Sequence, residues 1–218
     1  MKGAHQMKVT KFVHSCLLVE MPAPVNRTVL FDPGVMSPVP VDTLEYLDDI
    51  FITHSHSDHL NIDLIKQLVA KFPKVRITTT TEIVGILKKE SIAASDQAPD
   101  GVNLFESPHE VIRPYFPVEP PQEIGVHYLD KLSHPGDSHS FHETRTVLAL
   151  PVTGPWGSVV DAVRLALELK PKYVIPIHDW HWNDDARRGA YDQMEKDFAE
   201  AAITFIKAVD GEPFVLDV

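Results

Sequence analysis

The sequence predicts an α/β protein built as an αββα sandwich, with two packed mixed β-sheets and helices on their outer faces. Three observations lead there. Strand-like runs fall into two groups along the chain, and each group is followed by segments of helical periodicity. The 218 residues, 44% of them hydrophobic, suffice for one domain with a real core, since domains commonly hold about 150 residues. No internal repeat, low-complexity stretch or linker interrupts the chain. A single domain over 1–218 is therefore expected, with residues 1–6 as an extension outside it.

The elements follow in order. KVTKFVHSCLLVE and TVLFDPG alternate apolar and polar residues and read as two strands joined by a turn over 22–27. DDIFITH reads as a buried strand running into a polar loop. Leu60, Leu64, Leu68 and Phe72 recur every four residues, so a helix is expected over 60–72, ended by Pro73. VRITTTT is a strand and TEIVGILKKES a short helix. Residues 95–123, rich in proline and polar residues, read as a long loop holding one strand, NLFESPHEVI.

IGVHYLD and KLSHPGDS then form a hairpin, and TVLALPV another strand. Ser158 with Asp161 resembles a capping box that starts a helix over 159–170. KYVIPIHDW is a strand ending in a loop. Tyr191, Met194, Phe198 and Ala202 mark one face of a last helix, and TFIKAV and PFVLDV finish as strands.

Charge and composition narrow the function classes. Twenty basic against 31 acidic residues leave a net charge of −11. No cluster of Lys and Arg offers the positive charge that a phosphate backbone requires, so nucleic acid is a poor substrate. No apolar run reaches the 18 or so residues of a membrane span. The first twelve residues lack an apolar signal core. Cys16, the only cysteine, has no internal partner, which suits a reducing compartment. The expectation is a cytoplasmic protein acting on a small molecule.

Twelve histidines are the anomaly. His54, His56, Asp58 and His59 lie within six residues at the end of a buried strand. Neutral imidazole and carboxylate are nitrogen and oxygen donors suited to zinc. On extended backbone, residues two apart point to one side, so His54 and His56 can grip one ion together. Asp58 and His59 fall where the chain turns toward a helix and can reach a second ion. Turn-forming, solvated polar residues are the ordinary alternative for such a run, but three imidazoles and a carboxylate in six residues favour ligation.

HSHSDH resembles the HxHxDH signature of the metallo-β-lactamase superfamily of hydrolases, at the same strand-to-helix junction. FDPG at 31–34, HPGDS at 134–138 and IPIHD at 175–179 follow as further landmarks of that family, in order. The likeness spans nearly the whole chain and is nearest to a small cytoplasmic branch of ascorbate-6-phosphate lactonase-like and uncharacterised metal-dependent hydrolases.

The resemblance implies a metallo-β-lactamase-like fold with two divalent ions, zinc first and manganese or iron as alternatives. It gives His54, His56 and a middle histidine to one ion, and Asp58, His59 and His178 to the other, with Asp137 bridging. Asp58 would also orient the nucleophile and take its proton. The middle histidine is assigned to His109 among His109, His127, His134, His139 and His142, because only His109 precedes the hairpin that delivers Asp137.

Gly136 permits a tight turn that would aim Asp137 inward. Asp32 is expected to orient ligands through hydrogen bonds, although a simple turn aspartate reads nearly as well. His14 reads better as a buried structural histidine, and Cys16 as plain core. His134 suits a substrate or supporting contact. Trp156 is placed near the cavity mouth, beside a helix N-terminus suited to an anionic group.

Two ions about 3.5–4 Å apart can share a water, lower its pKa to about 7 and stabilise a developing oxyanion. A bridging hydroxide attacking a small-molecule ester, lactone or related carbonyl compound is thus the leading expectation. A phosphodiesterase, or a metal-binding or redox protein without hydrolysis, is the alternative.

Overall fold

The computed structural model describes residues 6–111 and 119–218. In chain order the elements are β1 (Gln6–Lys11), β2 (Leu17–Met21), β3 (Arg27–Phe31), β4 (Asp49–Ile52), α1 (Ile62–Lys71), β5 (Arg76–Thr79) and α2 (Thr81–Lys89). Then come β6 (Val102–Glu106), β7 (Ile124–Tyr128), β8 (Leu132–His134), β9 (Val147–Pro151), α3 (Val159–Leu169) and β10 (Tyr173–Ile177). The helix α4 (Asp184–Glu200) and the strands β11 (Thr204–Phe205) and β12 (Pro213–Asp217) close the chain.

The chain divides into two compact units, one of residues 1–100 with 209–218, the other of residues 101–208. Each contains a six-stranded mixed sheet, ordered β12-β1-β2-β3-β4-β5 in unit 1 and β11-β10-β9-β8-β7-β6 in unit 2. The two sheets share one logic. Strands β12, β1, β2 and β3 pair antiparallel, as do β6, β7 and β8. Then β3, β4 and β5 run parallel, as do β8, β9, β10 and β11. Parallel neighbours need crossovers, which α1, α3 and α4 supply for β4–β5, β9–β10 and β10–β11, and long loops for β3–β4 and β8–β9.

Helix packing follows the apolar periodicity. Leu64, Ile65 and Leu68 of α1 and Ile83 and Leu87 of α2 are buried against Leu30, Ile50, Ile52 and Ile77 of the unit 1 sheet. In unit 2, Ala162 and Ala166 of α3 and Tyr191, Met194 and Phe198 of α4 pack with Leu148, Leu150 and Val174. Asn61 caps α1 by accepting from the backbone N–H of Asp63 and Leu64, and Ser158 caps α3 by accepting from Asp161 N–H. Ala202, expected on the buried face of the last helix, lies beyond its end and is exposed.

Two expectations change. KVTKFVHSCLLVE is not one strand but two, β1 and β2, with a turn over 12–16 in which His14 adopts a left-handed φ of 71°. No glycine or proline marks that turn. NLFESPHEVI is a strand only through Glu106, and the part of the 95–123 loop over 112–118 lies outside the described residues. At the N-terminus Gln6 already pairs with Asp217 in the β1–β12 ladder, and residues 1–5 of the expected extension lie outside the described residues.

Candidate metal centre

In unit 1 the parallel strands β3 and β4 end side by side, which places Asp32 next to Thr53 and His54. Ligand sites at the carboxyl ends of parallel strands are the rule in α/β sheets. Asp32 is buried in a left-handed conformation, φ 44°. Its carboxylate accepts from Thr53 N–H (2.7 Å), Thr53 Oγ1 (2.8 Å) and His59 Nδ1 (2.8 Å). The last bond assigns the His59 proton to Nδ1 and leaves a lone pair on Nε2.

The Thr53 hydroxyl has given its hydrogen to Asp32, so its oxygen accepts from His54 Nδ1 at 3.1 Å. His54 therefore also presents an Nε2 lone pair, which lies 3.1 Å from His56 Nδ1. Hydrogen bonds of this kind fix the tautomer and ring orientation of histidines in metal sites generally.

Asp58 sits where the loop reverses. Val35 N–H donates to Ser57 O (2.8 Å) and Asn61 N–H to Pro33 O (3.0 Å), lacing FDPG to HSHSDH. Gly34 makes that approach possible, because a Cβ there would lie 1.7 Å from the Asp58 carbonyl oxygen. His14 is buried, with Nε2 3.1 Å from Asp58 Oδ2 and its ring edge-on to His59 at 5.2 Å. The ligand atoms of His14, Asp58 and His59 lie within 4.8 Å of one another. In sequence His14 reads better as a buried structural histidine, because a lone histidine in an apolar run carries no spacing signal.

In unit 2, Asp137 follows β8 in a turn where Gly136 takes φ 70°. Its backbone N–H donates to Glu123 Oε1 (2.6 Å), and its carbonyl accepts from Glu110 N–H (3.1 Å). His109 donates from Nδ1 to the Glu110 carbonyl (2.7 Å), and His178 from Nδ1 to the Thr153 carbonyl (2.6 Å). Both rings therefore carry their lone pair on Nε2. Those atoms stand 3.8 Å (His109) and 3.0 Å (His178) from Asp137 Oδ2.

Around this trio, Glu110 Oε1 accepts from His139 N–H (2.9 Å) and Ser140 Oγ (2.8 Å). Asp179, next to His178, accepts from the Tyr191 hydroxyl and lies near Arg187. Glu110, Glu123 and Asp179 were not singled out in the sequence, since their roles depend on loops distant along the chain.

The other candidates separate. His127 is buried in β7 with its ring stacked on Phe105 at 4.1 Å and Nδ1 2.9 Å from Ser133 Oγ. Loss of hydration, reinforced by the Arg145 charge, pulls its pKa down to about 4. His134 is buried in β8, with Gly136 N–H directed at its Nδ1 (3.4 Å). Trp156 meets His178 and His139 edge-on, both at 5.2 Å. Cys16 is buried, and loss of hydration pushes its thiol pKa well up, so no thiolate is offered to a metal.

The donor set fits divalent ions. Four buried rings, His54, His59, His109 and His178, have Nδ1 committed, and the Nε2 atoms of His54, His109 and His178 lie 3.1, 3.8 and 3.0 Å from an imidazole nitrogen or a carboxylate oxygen. A lone pair facing a carboxylate at 3.0 Å repels unless a cation joins them. Imidazole nitrogen and carboxylate oxygen without thiolate suit zinc, manganese or iron.

The sequence profile of the β-lactamase superfamily domain matches residues 8–178. The chain belongs to the metallo-β-lactamase superfamily of hydrolases. It is 30% identical over 220 residues to protein Rv0786c of Mycobacterium tuberculosis, covering 91% of this chain and all of that one. A UPF0173 metal-dependent hydrolase of Thermofilum pendens is 28% identical over 173 residues, 70% of this chain and 74% of the relative. Among solved structures, the metallo hydrolase Igni18 of Ignicoccus hospitalis superposes with a TM-score of 0.70 at 18% identity, covering 98% of this chain and 99% of that one. That match shows the fold.

Proposed function

We propose that this metal-dependent hydrolase holds two divalent ions and cleaves a small-molecule ester, lactone or related carbonyl compound. His54, His56 and His109 would hold one ion, Asp58, His59 and His178 the other, and Asp137 would be shared. The observation that carries the reading is the His178–Asp137 pair, in which a committed Nδ1–H turns an Nε2 lone pair onto a carboxylate oxygen at 3.0 Å. Zinc is the first expectation for the metal.

Bound ions supply an activated water and polarise the scissile carbonyl. The chain's own groups do the rest. Asp58, partly exposed and 3.1 Å from His14 Nε2, orients the attacking water and takes its proton. Asp32, through Thr53 and His59, holds two imidazoles in the required tautomer. A net charge of −11 disfavours nucleic acid as the substrate.

The test is metal analysis of protein purified without chelator, followed by a panel of lactone, ester, thioester and phosphodiester substrates. About two ions per chain are expected, and Asp137→Ala should lower occupancy and turnover together. Near-zero occupancy with the fold intact would remove the enzyme reading. Full occupancy without hydrolysis would favour a metal-binding or redox role.

A further inference from the structure

All three tryptophans of the chain, Trp156, Trp180 and Trp182, lie in the loops that follow β9 and β10 of unit 2. The second of these loops begins at His178. Trp156 stands in a tight turn closed by hydrogen bonds from Gly154 N–H to Gly157 O (3.2 Å) and from Gly157 N–H to Gly154 O (3.4 Å). The turn is shaped around the indole, since a Cβ at Gly154 would lie 2.8 Å from the ring. The half-buried ring meets His178 edge-on at 5.2 Å and lies 6.4 Å from His109. Trp180, two residues past His178, is 46% exposed, whereas Trp182 turns into the core of unit 2.

The cation that reaches the second loop is engaged there, with Arg187 Nε 3.5 Å from Asp179 Oδ2 and its Nη2 donating to the Asp179 carbonyl at 3.3 Å. Residues 107–111, 134–144, 151–158 and 178–183 contain neither Lys nor Arg. The helix N-terminus beside Trp156, expected to suit an anion, already holds an acid. The Asp161 carboxylate accepts from Ser158 Oγ at 2.6 Å in the first turn of α3. Within those four described stretches a phosphate tail meets no Lys or Arg, whereas a flat apolar group meets an indole beside two histidines.

We propose that the substrate carries a neutral, flat apolar group, such as an aromatic ring or a conjugated acyl chain, packed on Trp156 next to the scissile bond. The proposal rests on the hydrolase reading above and names the substrate class for that site. A ring packed on an indole gains affinity through buried area and favourable aromatic geometry, together worth about tenfold.

The experiment separates binding from turnover. Phenylacetone, a neutral aryl ketone with no hydrolysable bond, is titrated against butan-2-one on metal-loaded protein, by calorimetry and by tryptophan emission. The aryl ketone should bind about tenfold tighter. Trp156→Ala and Trp156→Leu should lose about that factor with bound metal unchanged, while Trp156→Phe keeps most of it. Methyl phenylacetate should exceed methyl propionate in kcat/KM by a similar factor, chiefly through KM, and methyl phosphonoacetate should be the poorest.

Equal binding of the two ketones overturns the proposal. So does Trp156→Leu binding phenylacetone like wild type, or a preference for the phosphonate. If phenylacetone binds in a Trp156-dependent way but no ester is cleaved, the hydrolase reading fails and the aromatic subsite stands.

Discussion

At His127 a single imidazole couples stability to pH. Burial and the Arg145 charge hold its pKa at about 4, against an ordinary 6.5. Between these values the unfolded chain binds a proton that the folded chain does not. Stability therefore rises with pH across that window, is complete above it, and is lost as pH falls toward 4. The shift corresponds to about 3 kcal/mol between pH 7 and pH 4. Urea unfolding at the two pH values should show His127→Gln less acid-sensitive than wild type by up to that amount. An identical pH dependence in the two proteins would mean that His127 titrates normally.

The same scale explains the backbone of the site. His14, Asp32 and His178 all hold left-handed φ values, 71°, 44° and 60°. Such conformations cost side chains of this kind about 1–3 kcal/mol each and persist where the surroundings over-determine them. At Asp32 three donors do so. At His178 the bond to Thr153 contributes, and Asp179 beside it is tied to Tyr191 of α4.

At the scale of elements, Gly34 is where the end of β3 and the HSHSDH loop meet. With the Asp58 carbonyl 1.7 Å from where a Cβ would be, Gly34→Ala forces the HSHSDH loop away from β3. Backbone atoms cannot give way as a flexible side chain can. The expected result is a loss of more than about 2 kcal/mol by urea unfolding, with metal content reduced in whatever protein folds. Wild-type stability and full metal content in Gly34→Ala would show that the loop can shift without consequence.

Much of this scale was legible in the sequence. The period-four leucines of α1 and the Tyr191, Met194 and Phe198 stripe of α4 face the cores because one helix face buries apolar area. HSHSDH stands out in sequence because its imidazoles and carboxylate are adjacent in the chain. The turn at His14 does not, since its left-handed residue is a histidine and no glycine announces it. Nor do Thr53, Glu110 and Glu123, whose hydrogen bonds depend on which strand ends the fold brings together.

For the whole molecule, the consequence of the proposed centre is that bound metal contributes to folding stability. Unfolded chain lacks the arranged donors, so an ion that binds only the folded form stabilises it by RT ln(1 + [L]/Kd). At a hundredfold excess over Kd this is about 2.7 kcal/mol per ion, or a rise in Tm of about 5–10 °C per ion for a chain of this size. Calorimetry is the suitable readout, since two compact units allow two transitions that one optical probe would merge. Protein stripped with a chelator should melt lower than protein as purified, and added zinc should restore the loss in proportion to the ions rebound. Asp137→Ala, missing the shared carboxylate, should recover only part of it. If stripped and zinc-loaded protein give the same endotherm while metal analysis finds zinc bound, the ion sits on surface groups and not on the buried imidazoles proposed here.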